Sequence, residues 1–308
     1  MKISIAMTTY NGEKYLKRQI ESIISQTYSD FELVICDDNS SDNTIKILEE
    51  YKLKDDRIKI YKNEYNLGFK KNFEKVIKLC VGEFIALCDQ DDIWTKTHLE
   101  ILLNKIENAS ASVGNALIMD EYDVVTSDFL SDRDRYFIDG NCEYKLSRIL
   151  LYGNPFQGTS SLYTKDLFDK ALPIPEGIEY HDAWFSACAC CLNGLNYTFD
   201  IVTNYRIHSS NVSGNHKINL IKQIKTTLNR GKYKTDRLIF VSELRKRIPT
   251  MNNNYINLLS EVEGFYLNRS NNKRIKVIIY LIKNYKKIYS INNYKQVFLR
   301  CVGVLIWG

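Results

Sequence analysis

The sequence predicts an α/β fold, a mostly parallel central sheet flanked by helices, followed by a helical C-terminal extension. Three observations carry this. Short apolar runs alternate with amphipathic helical stretches through the first 90 residues, the rhythm of right-handed βαβ units. Polar and acidic residues collect where those apolar runs end, and parallel sheets bind ligands beyond the carboxyl ends of their strands. From about residue 217 the rhythm stops, and the chain turns basic and helical.

Taken in order, Ile3–Met7 reads as a strand, and the stretch from Glu13 to Gln26 reads as a helix with Tyr15, Ile20, Ile23 and Ile24 on one face. Phe31–Cys36 is a second buried strand. The run Asp37-Asp38-Asn39-Ser40-Ser41-Asp42 then turns and caps a helix that continues through Tyr51. A third strand is predicted at Ile58–Tyr61, a third helix at Phe69–Cys80 and a fourth strand at Phe84–Cys88. Beyond these come a predicted helix from Thr95 to Asn108, a strand at Ala116–Met119 and an irregular polar stretch from Asp120 to Gly140. Helices near Lys145–Tyr152 and Lys165–Ala171 flank a predicted strand at Ser160–Tyr163. A helix opens at His181-Asp182, and Tyr197–Ile207 reads as extended.

The 308 residues are long enough for one large domain or two smaller ones, and 44% hydrophobic with 26% charged residues excludes a disordered chain. With 14 Gly and 4 Pro, collagen-like and low-complexity classes are excluded as well. The 21 tyrosines and 13 phenylalanines are a surplus of the kind that lines sites and interfaces. The N-terminus runs straight into a strand, so no secretory signal is expected. The eight cysteines lack metal-site spacing: Cys188, Cys190 and Cys191 read as helix packing rather than a zinc site, and a reducing cytoplasm fits them.

The formal net charge of +5 is the sum of two opposed parts. Residues 1–216 carry 23 Lys+Arg against 33 Asp+Glu, and residues 217–308 carry 19 against 4. We therefore expect an α/β domain over 1–216 and a basic, amphipathic helical region over 217–308. The basic tail fits association with an anionic membrane surface, a solvated helical face or a homodimer interface. No nucleic-acid motif accompanies it, and no run reaches the length of a membrane span.

Asp89, Asp91 and Asp92 fall within four residues directly after a buried strand. Neighbouring carboxylates repel, so one reading places a divalent cation there, Mg²⁺ or Mn²⁺, which in turn would hold a diphosphate. The other reading is a solvated turn capping the next helix. Asp37-Asp38 divides in the same way, between hydrogen bonding to a base or ribose and a capping run.

The segments MTTYNGEKYL, QTYSDFELVICDDNSSDNT, NLGFKKNF and GEFIALCDQDDIW resemble, in order and spacing, the family 2 glycosyltransferases of the nucleotide-diphospho-sugar (GT-A) fold. The likeness covers residues 1–95 and extends more loosely through YHDAW and YRIHSSNVSG to about residue 215. The DQDDIW wording is most similar to bacterial rhamnosyltransferase-type members that build capsule, O-antigen or lipooligosaccharide. The resemblance implies a mixed, mostly parallel sheet and an inverting, metal-dependent transferase. The donor would be a UDP- or dTDP-sugar and the acceptor a lipid-linked glycan, with the enzyme at the inner face of the plasma membrane. Thr8 and Tyr10 would contact the nucleotide, Tyr10 by stacking on the base, with Glu13 assisting and Lys71 within reach. Asp38 would hydrogen-bond the base and Asp89 would face ribose or sugar. Asp91 would hold the Mn²⁺ or Mg²⁺ against the diphosphate, with His208 as a further metal or diphosphate contact. Asp92 would orient the donor or support the loop.

Glycosyl transfer needs the departing diphosphate stabilised and the acceptor hydroxyl deprotonated as it attacks. The resemblance places that base at Asp182, at a helix start where the dipole favours a carboxylate. Capping the helix is the plainer role, and both can hold. His181 would orient its neighbour or bind acceptor, while His98 and His216 are expected to face solvent. A nucleotidyltransferase would carry a Gly-rich basic loop near the N-terminus, and a processive synthase would carry transmembrane helices and Q-x-x-R-W; neither pattern occurs. A non-catalytic sugar-nucleotide-binding or membrane-scaffold protein retaining the fold is the alternative. The intact acids Asp38, Asp91 and Asp182 argue against it.

Overall fold

The computed structural model describes residues 2–130, 141–151, 153–208, 233–271 and 273–284, together with Cys301 and Val304. Four strands form the parallel half of the sheet in the order β3-β2-β1-β4: β1 (Ile3–Thr9), β2 (Phe31–Asp37), β3 (Ile58–Lys62) and β4 (Phe84–Cys88). Three helices make the crossovers, α1 (Leu16–Ile24), α2 (Thr44–Lys52) and α3 (Phe69–Leu79).

Side-chain alternation divides this half between two cores. Ile3, Ile5, Met7, Phe31, Leu33 and Ile35 pack with Leu16, Ile20, Leu48 and Leu99 on one face. Ala6, Val34 and Cys36 pack with Phe73, Val76 and Ile77 of α3 on the other. At the amino edge the buried Glu32 is matched by Lys59 Nζ at 2.7 Å and the Val81 N–H at 3.0 Å, which holds its carboxyl below the usual range despite burial.

The second half is mixed. β8 (Ser161–Thr164) lies antiparallel to β4, and β6 (Ala111–Met119) lies antiparallel to β8. β9 (Leu195–Arg206) runs parallel to β6, with β5 (Ile93–Trp94) antiparallel at the far edge and β7 (Val125–Phe129) paired to the end of β6. The mixed, mostly parallel sheet is as expected. Three differences stand out. β5 was not expected as a strand, β7 lies in the stretch expected to be irregular, and β6 begins five residues before its predicted start. Its first residues, Ala111-Ser112-Val113-Gly114-Asn115, are small and polar, so they lack an apolar strand's signature; Gly114 is required because a Cβ there would meet Val202 at 2.5 Å.

Helices α4 (His98–Ile106), α5 (Cys142–Leu151), α6 (Lys165–Ala171) and α7 (His181–Cys191) complete this part. Three more follow: α8 (Tyr233–Arg247), α9 (Asn253–Ser270) and α10 (Arg274–Lys283). Asn252 caps α9 by accepting from the Asn254 and Tyr255 N–H groups. Their buried faces, among them Phe240, Leu244, Leu259 and Leu281, join the same apolar cluster as α5 and α7. The expected boundary at residue 216 lies outside the described residues. None of the described helices is long and apolar enough to cross a membrane.

Candidate active site

Three loops meet at the carboxyl end of the parallel strands. After β1, the backbone of Tyr10 is gripped on both sides by one side chain: its N–H donates to Gln90 Oε1 at 2.8 Å, and its carbonyl accepts from Gln90 Nε2 at 3.0 Å. Gly12 allows this approach, because a Cβ there would lie 2.3 Å from Gln90 Oε1. Asn11, at a positive φ of 47°, accepts from the Ser41 N–H at 2.9 Å and ties this loop to the one after β2. With its backbone fixed and its ring half exposed, Tyr10 offers a flat apolar face beside a half-buried Thr8.

Glu13 and Asp38 turn out to hold the protein together. Glu13 Oε2 accepts from the Asn43 N–H and Nδ2 at 3.0 and 2.7 Å, which satisfies the start of α2. Asp38 is buried, and its carboxylate accepts from Asn63 Nδ2 at 2.7 Å and from the Leu67 and Gly68 N–H groups at 2.8 and 2.9 Å. It therefore shapes the loop between β3 and α3. Lys71 is exposed on α3, whereas Lys75, which sequence reasoning passed over, donates to Asn63 Oδ1 at 2.6 Å in the Asp38 network.

The loop after β4 carries the acidic cluster. Asp91 Oδ2 lies 2.8 Å from His208 Nε2. Asp92 is buried and accepts from the Arg206 N–H at 2.9 Å, the arrangement of a loop support; burial, then Asp91 and Asp89, push its carboxyl well up. Asp89 is pushed up to about 7 by burial, then by the charges of Asp91 and Asp182.

Arg206 is the main residue that sequence reasoning missed. It is fully buried; its Nε donates to the Asp91 carbonyl at 2.6 Å, and one terminal nitrogen reaches the Asp120 carbonyl at 3.1 Å and Asp123 Oδ1 at 2.6 Å. Its guanidinium covers the Tyr15 ring at 4.4 Å, and the same ring lies 5.0 Å from that of His208. The available signal was period two: residues 206 and 208, at and just past the end of β9, fall on one side.

Asp182 opens α7 across the cleft. Its Oδ1 accepts from the Ala183 N–H at 2.7 Å, and burial pushes its carboxyl up to about 6. The charge of Asp182 reaches Asp89 and helps to raise its carboxyl, so the α7 terminus lies close to the acidic loop. His181 stacks on Phe73 at 4.2 Å and is pushed down to about 4 by burial, so it stays neutral. His98, expected in solvent, is instead fully buried. It stacks on Trp94 at 3.7 Å, with Nδ1 2.9 Å from the Val202 carbonyl, because the helix face that carries it turns toward β5 and β9. His216 lies outside the described residues.

Among the described residues, no three His, Cys, Asp or Glu side chains converge into a complete metal cage. The Asp91–His208 pair nonetheless fits a Mn²⁺ or Mg²⁺ ion that takes its remaining ligands from a diphosphate and water. One carboxylate and one imidazole face each other at 2.8 Å, and both side chains keep some exposure.

Comparison with known proteins decides the family. The model of the family described as "Glycosyl transferase family 2" matches residues 4–170, more than half of the chain. The chain belongs to the family 2 glycosyltransferases. This glycosyltransferase is 30% identical over 223 residues to the Escherichia coli UDP-Glc:alpha-D-GlcNAc-diphosphoundecaprenol beta-1,3-glucosyltransferase WfaP, covering 72% of this chain and 83% of that one. It is 40% identical over 126 residues to the Escherichia coli enzyme WfgD, which has the same named activity; that match covers 40% of this chain and about half (49%) of the relative. Among solved structures, S. aureus TarS 1-349 in complex with UDP-GlcNAc superposes with a TM-score of 0.62 at 18% identity, covering 94% of this chain and 82% of that one. The likeness shows the GT-A fold of a glycosyltransferase.

Proposed function

We propose that this glycosyltransferase moves a sugar, with inversion, from a nucleoside-diphosphate sugar to a hydroxyl of a lipid-linked glycan in surface-polysaccharide synthesis. The observation that carries the reading is the position of Asp182, a carboxyl raised to about 6 that faces the Asp89–Asp91 loop from a helix terminus. Related proteins supply the substrate class. The two Escherichia coli relatives are named for UDP-Glc and a GlcNAc-diphosphoundecaprenol acceptor, and a Campylobacter jejuni relative, 35% identical over 122 residues, is named for a PP-undecaprenol acceptor.

In this reading Tyr10 stacks on the base, with Thr8 beside it, while Asp38 and Lys75 fix the loop that borders the nucleotide. Asp91 and His208 would hold a Mn²⁺ or Mg²⁺ ion, whose charge stabilises the departing nucleoside diphosphate. A solved neighbour in the same fold, the Pyrobaculum calidifontis mannosyltransferase PcManGT in complex with GDP-Man and Mn2+, has a TM-score of 0.58 at 12% identity. Arg206 keeps the Asp91 backbone from drifting. Asp182 takes the acceptor hydroxyl's proton as the hydroxyl attacks the anomeric carbon from the face opposite the leaving group. Neutral His181, on its aromatic bed, orients the acceptor beside Asp182. Peripheral attachment of the basic helices to an anionic inner leaflet would bring this cleft to its acceptor.

Labelled UDP-glucose, Mn²⁺ and GlcNAc-diphosphoundecaprenol should give a labelled glycolipid with the full chain. Asp182→Asn should lose about 10²–10⁴-fold of that rate while UDP-sugar still raises the melting temperature. Normal turnover by Asp182→Asn would refute the base assignment. If no sugar nucleotide in a panel shifts melting, the donor reading fails.

A further inference from the structure

The turn between β6 and β7 is tied to the rest of the fold by charge rather than by packing. Its apolar side chains face outward, with Tyr122 77% and Val124 59% exposed. Asp120 shapes the turn from within, its Oδ1 accepting from the Tyr122 and Val124 N–H groups at 2.8 and 2.9 Å. Asp123 follows at a positive φ of 67°. Three ion pairs reach out from here. Lys14 Nζ meets Glu121 Oε2 at 3.0 Å, Arg18 meets Asp123 Oδ2 at 3.4 Å, and Arg206 meets Asp123 Oδ1 at 2.6 Å. The side chains of Lys14 and Arg18 are more than half exposed, so water and salt weaken their pairs. Arg206 alone of the three is fully buried, and taking the carboxylate from beside it leaves a charge out of water less compensated.

That guanidinium stands between the turn and the acidic loop. Its Nε donates to the Asp91 carbonyl at 2.6 Å, and the Arg206 N–H donates to Asp92 Oδ1 at 2.9 Å. It also covers the Tyr15 ring, which lies 5.0 Å from the ring of His208, two residues along the chain. A fixed positive charge at this point places Asp91, yet it opposes any cation held by Asp91 and His208. We propose that Asp123 is a positioning residue for that cation seat. Acting through Arg206, it locks the guanidinium onto the Asp91 backbone and offsets its charge. The β6–β7 turn, distant in sequence from both ligands, thereby takes part in setting cation affinity. The inference rests on the reading of Asp91 and His208 as the residues that hold the Mn²⁺ or Mg²⁺ ion.

The test uses the full chain. Mn²⁺ binding is followed by the electron paramagnetic resonance of the free ion in saturating UDP, and UDP binding by calorimetry in EDTA. Asp123→Asn keeps the size of the side chain and loses its charge. Its Mn²⁺ dissociation constant should rise about 10–100-fold, while UDP binding in EDTA should be no weaker than in the native chain. Asp123→Glu, which retains the charge, should recover most of the Mn²⁺ affinity. A turn that merely supports the fold would weaken UDP binding with and without the metal alike, and Glu would serve no better than Asn. Either result overturns the proposal, as does an unchanged Mn²⁺ affinity in Asp123→Asn. The underlying reading fails separately: a native chain that binds UDP but no Mn²⁺ would remove the cation seat, and this proposal with it. Coupling is reciprocal, so in the native chain Mn²⁺ with UDP should slow deuterium exchange at the Tyr122 and Val124 amides relative to UDP alone. If Asp123→Asn does not fold, that protection decides, and its absence overturns the proposal.

Discussion

Asp182 is a carboxylate in the first turn of α7 whose side chain accepts from the Ala183 N–H. Burial raises its carboxyl from the ordinary 3.8 to about 6, so above pH 4 the unfolded chain releases this proton more readily than the folded one. The sign follows directly. This group costs stability increasingly as pH rises from 3.8 to about 6, and the full cost remains at neutral pH. As the proposed base it would work only when deprotonated, so activity would appear over the same interval. We expect the transfer rate to rise through a midpoint near pH 6, and Asp182→Asn to melt higher than the native chain at pH 7.5 while transferring poorly. A variant that melts lower would mean that Asp182 is a structural cap first. At this scale the sequence made visible what is local: Asp89-Gln90-Asp91-Asp92, Asp182 and the Asp37-Asp38 pair all sit in short polar runs after apolar ones. Arg206 and Lys75 were hidden, because a single basic residue in a strand or on a helix looks like solvated surface until its partners arrive from 83 to 115 residues away (Arg206) or from across the loop (Lys75). His98 was misread for the same reason, since only the fold brings the Val202 carbonyl to it.

The elements show the same division. β1 to β4 and their crossover helices were legible because each strand carries an unbroken apolar run and each helix a clear stripe. β5 is two residues long and β7 is exposed and polar along most of its length, so neither carries a periodic signal, and the tertiary pairing with β9 and β6 alone makes them strands. What the elements do for the site is brace it. α7, which presents Asp182, is held from behind by Trp184, whose Nε1 donates to the Ala171 carbonyl at 2.9 Å and whose ring meets Phe240 of α8 at 5.4 Å. The loop leading into α3 is held by Asp38. Asp38→Ala would leave the Leu67 N–H without its acceptor and the Gly68 N–H with only Asn66 Oδ1 at 3.0 Å, a loss of about 1 kcal/mol for these partly buried groups. We expect those two amides to exchange with deuterium much faster in this variant than in the native chain, before any change in β1 or β2, and the donor KM to rise. Unchanged protection at Leu67 and Gly68 would show that the loop is held by something else.

Across the whole molecule the near-neutral total hides residues 1–216 at −10 and residues 217–308 at +15. In the proposed function the acidic stretch would accept an anionic donor, and a cation between Asp91 and the diphosphate would offset that repulsion. The basic part has one helix whose outer face is suited to a bilayer surface. On α10, Ile275, Ile279 and Ile282 follow one another at i, i+4 and i+7 and are 72%, 47% and 56% exposed, while Val277 and Leu281 face the core. Lys273, Arg274, Lys276 and Lys283 flank that stripe. Each basic residue near an anionic surface adds about 1 kcal/mol, and the three isoleucines supply the apolar contact that salt does not screen. The full chain should therefore co-sediment with vesicles rich in anionic lipid and much less with neutral ones. Raising salt should weaken the binding without abolishing it. Replacing Ile275, Ile279 and Ile282 together by Ser should reduce the bound fraction at least tenfold while leaving transfer to a short water-soluble acceptor unchanged. Equal sedimentation with neutral and anionic vesicles would remove the charge from this account, and an unaffected triple variant would remove the α10 face. If the variant instead lost transfer to the soluble acceptor, α10 would be bracing the catalytic fold through Val277 and Leu281 rather than carrying it to a surface.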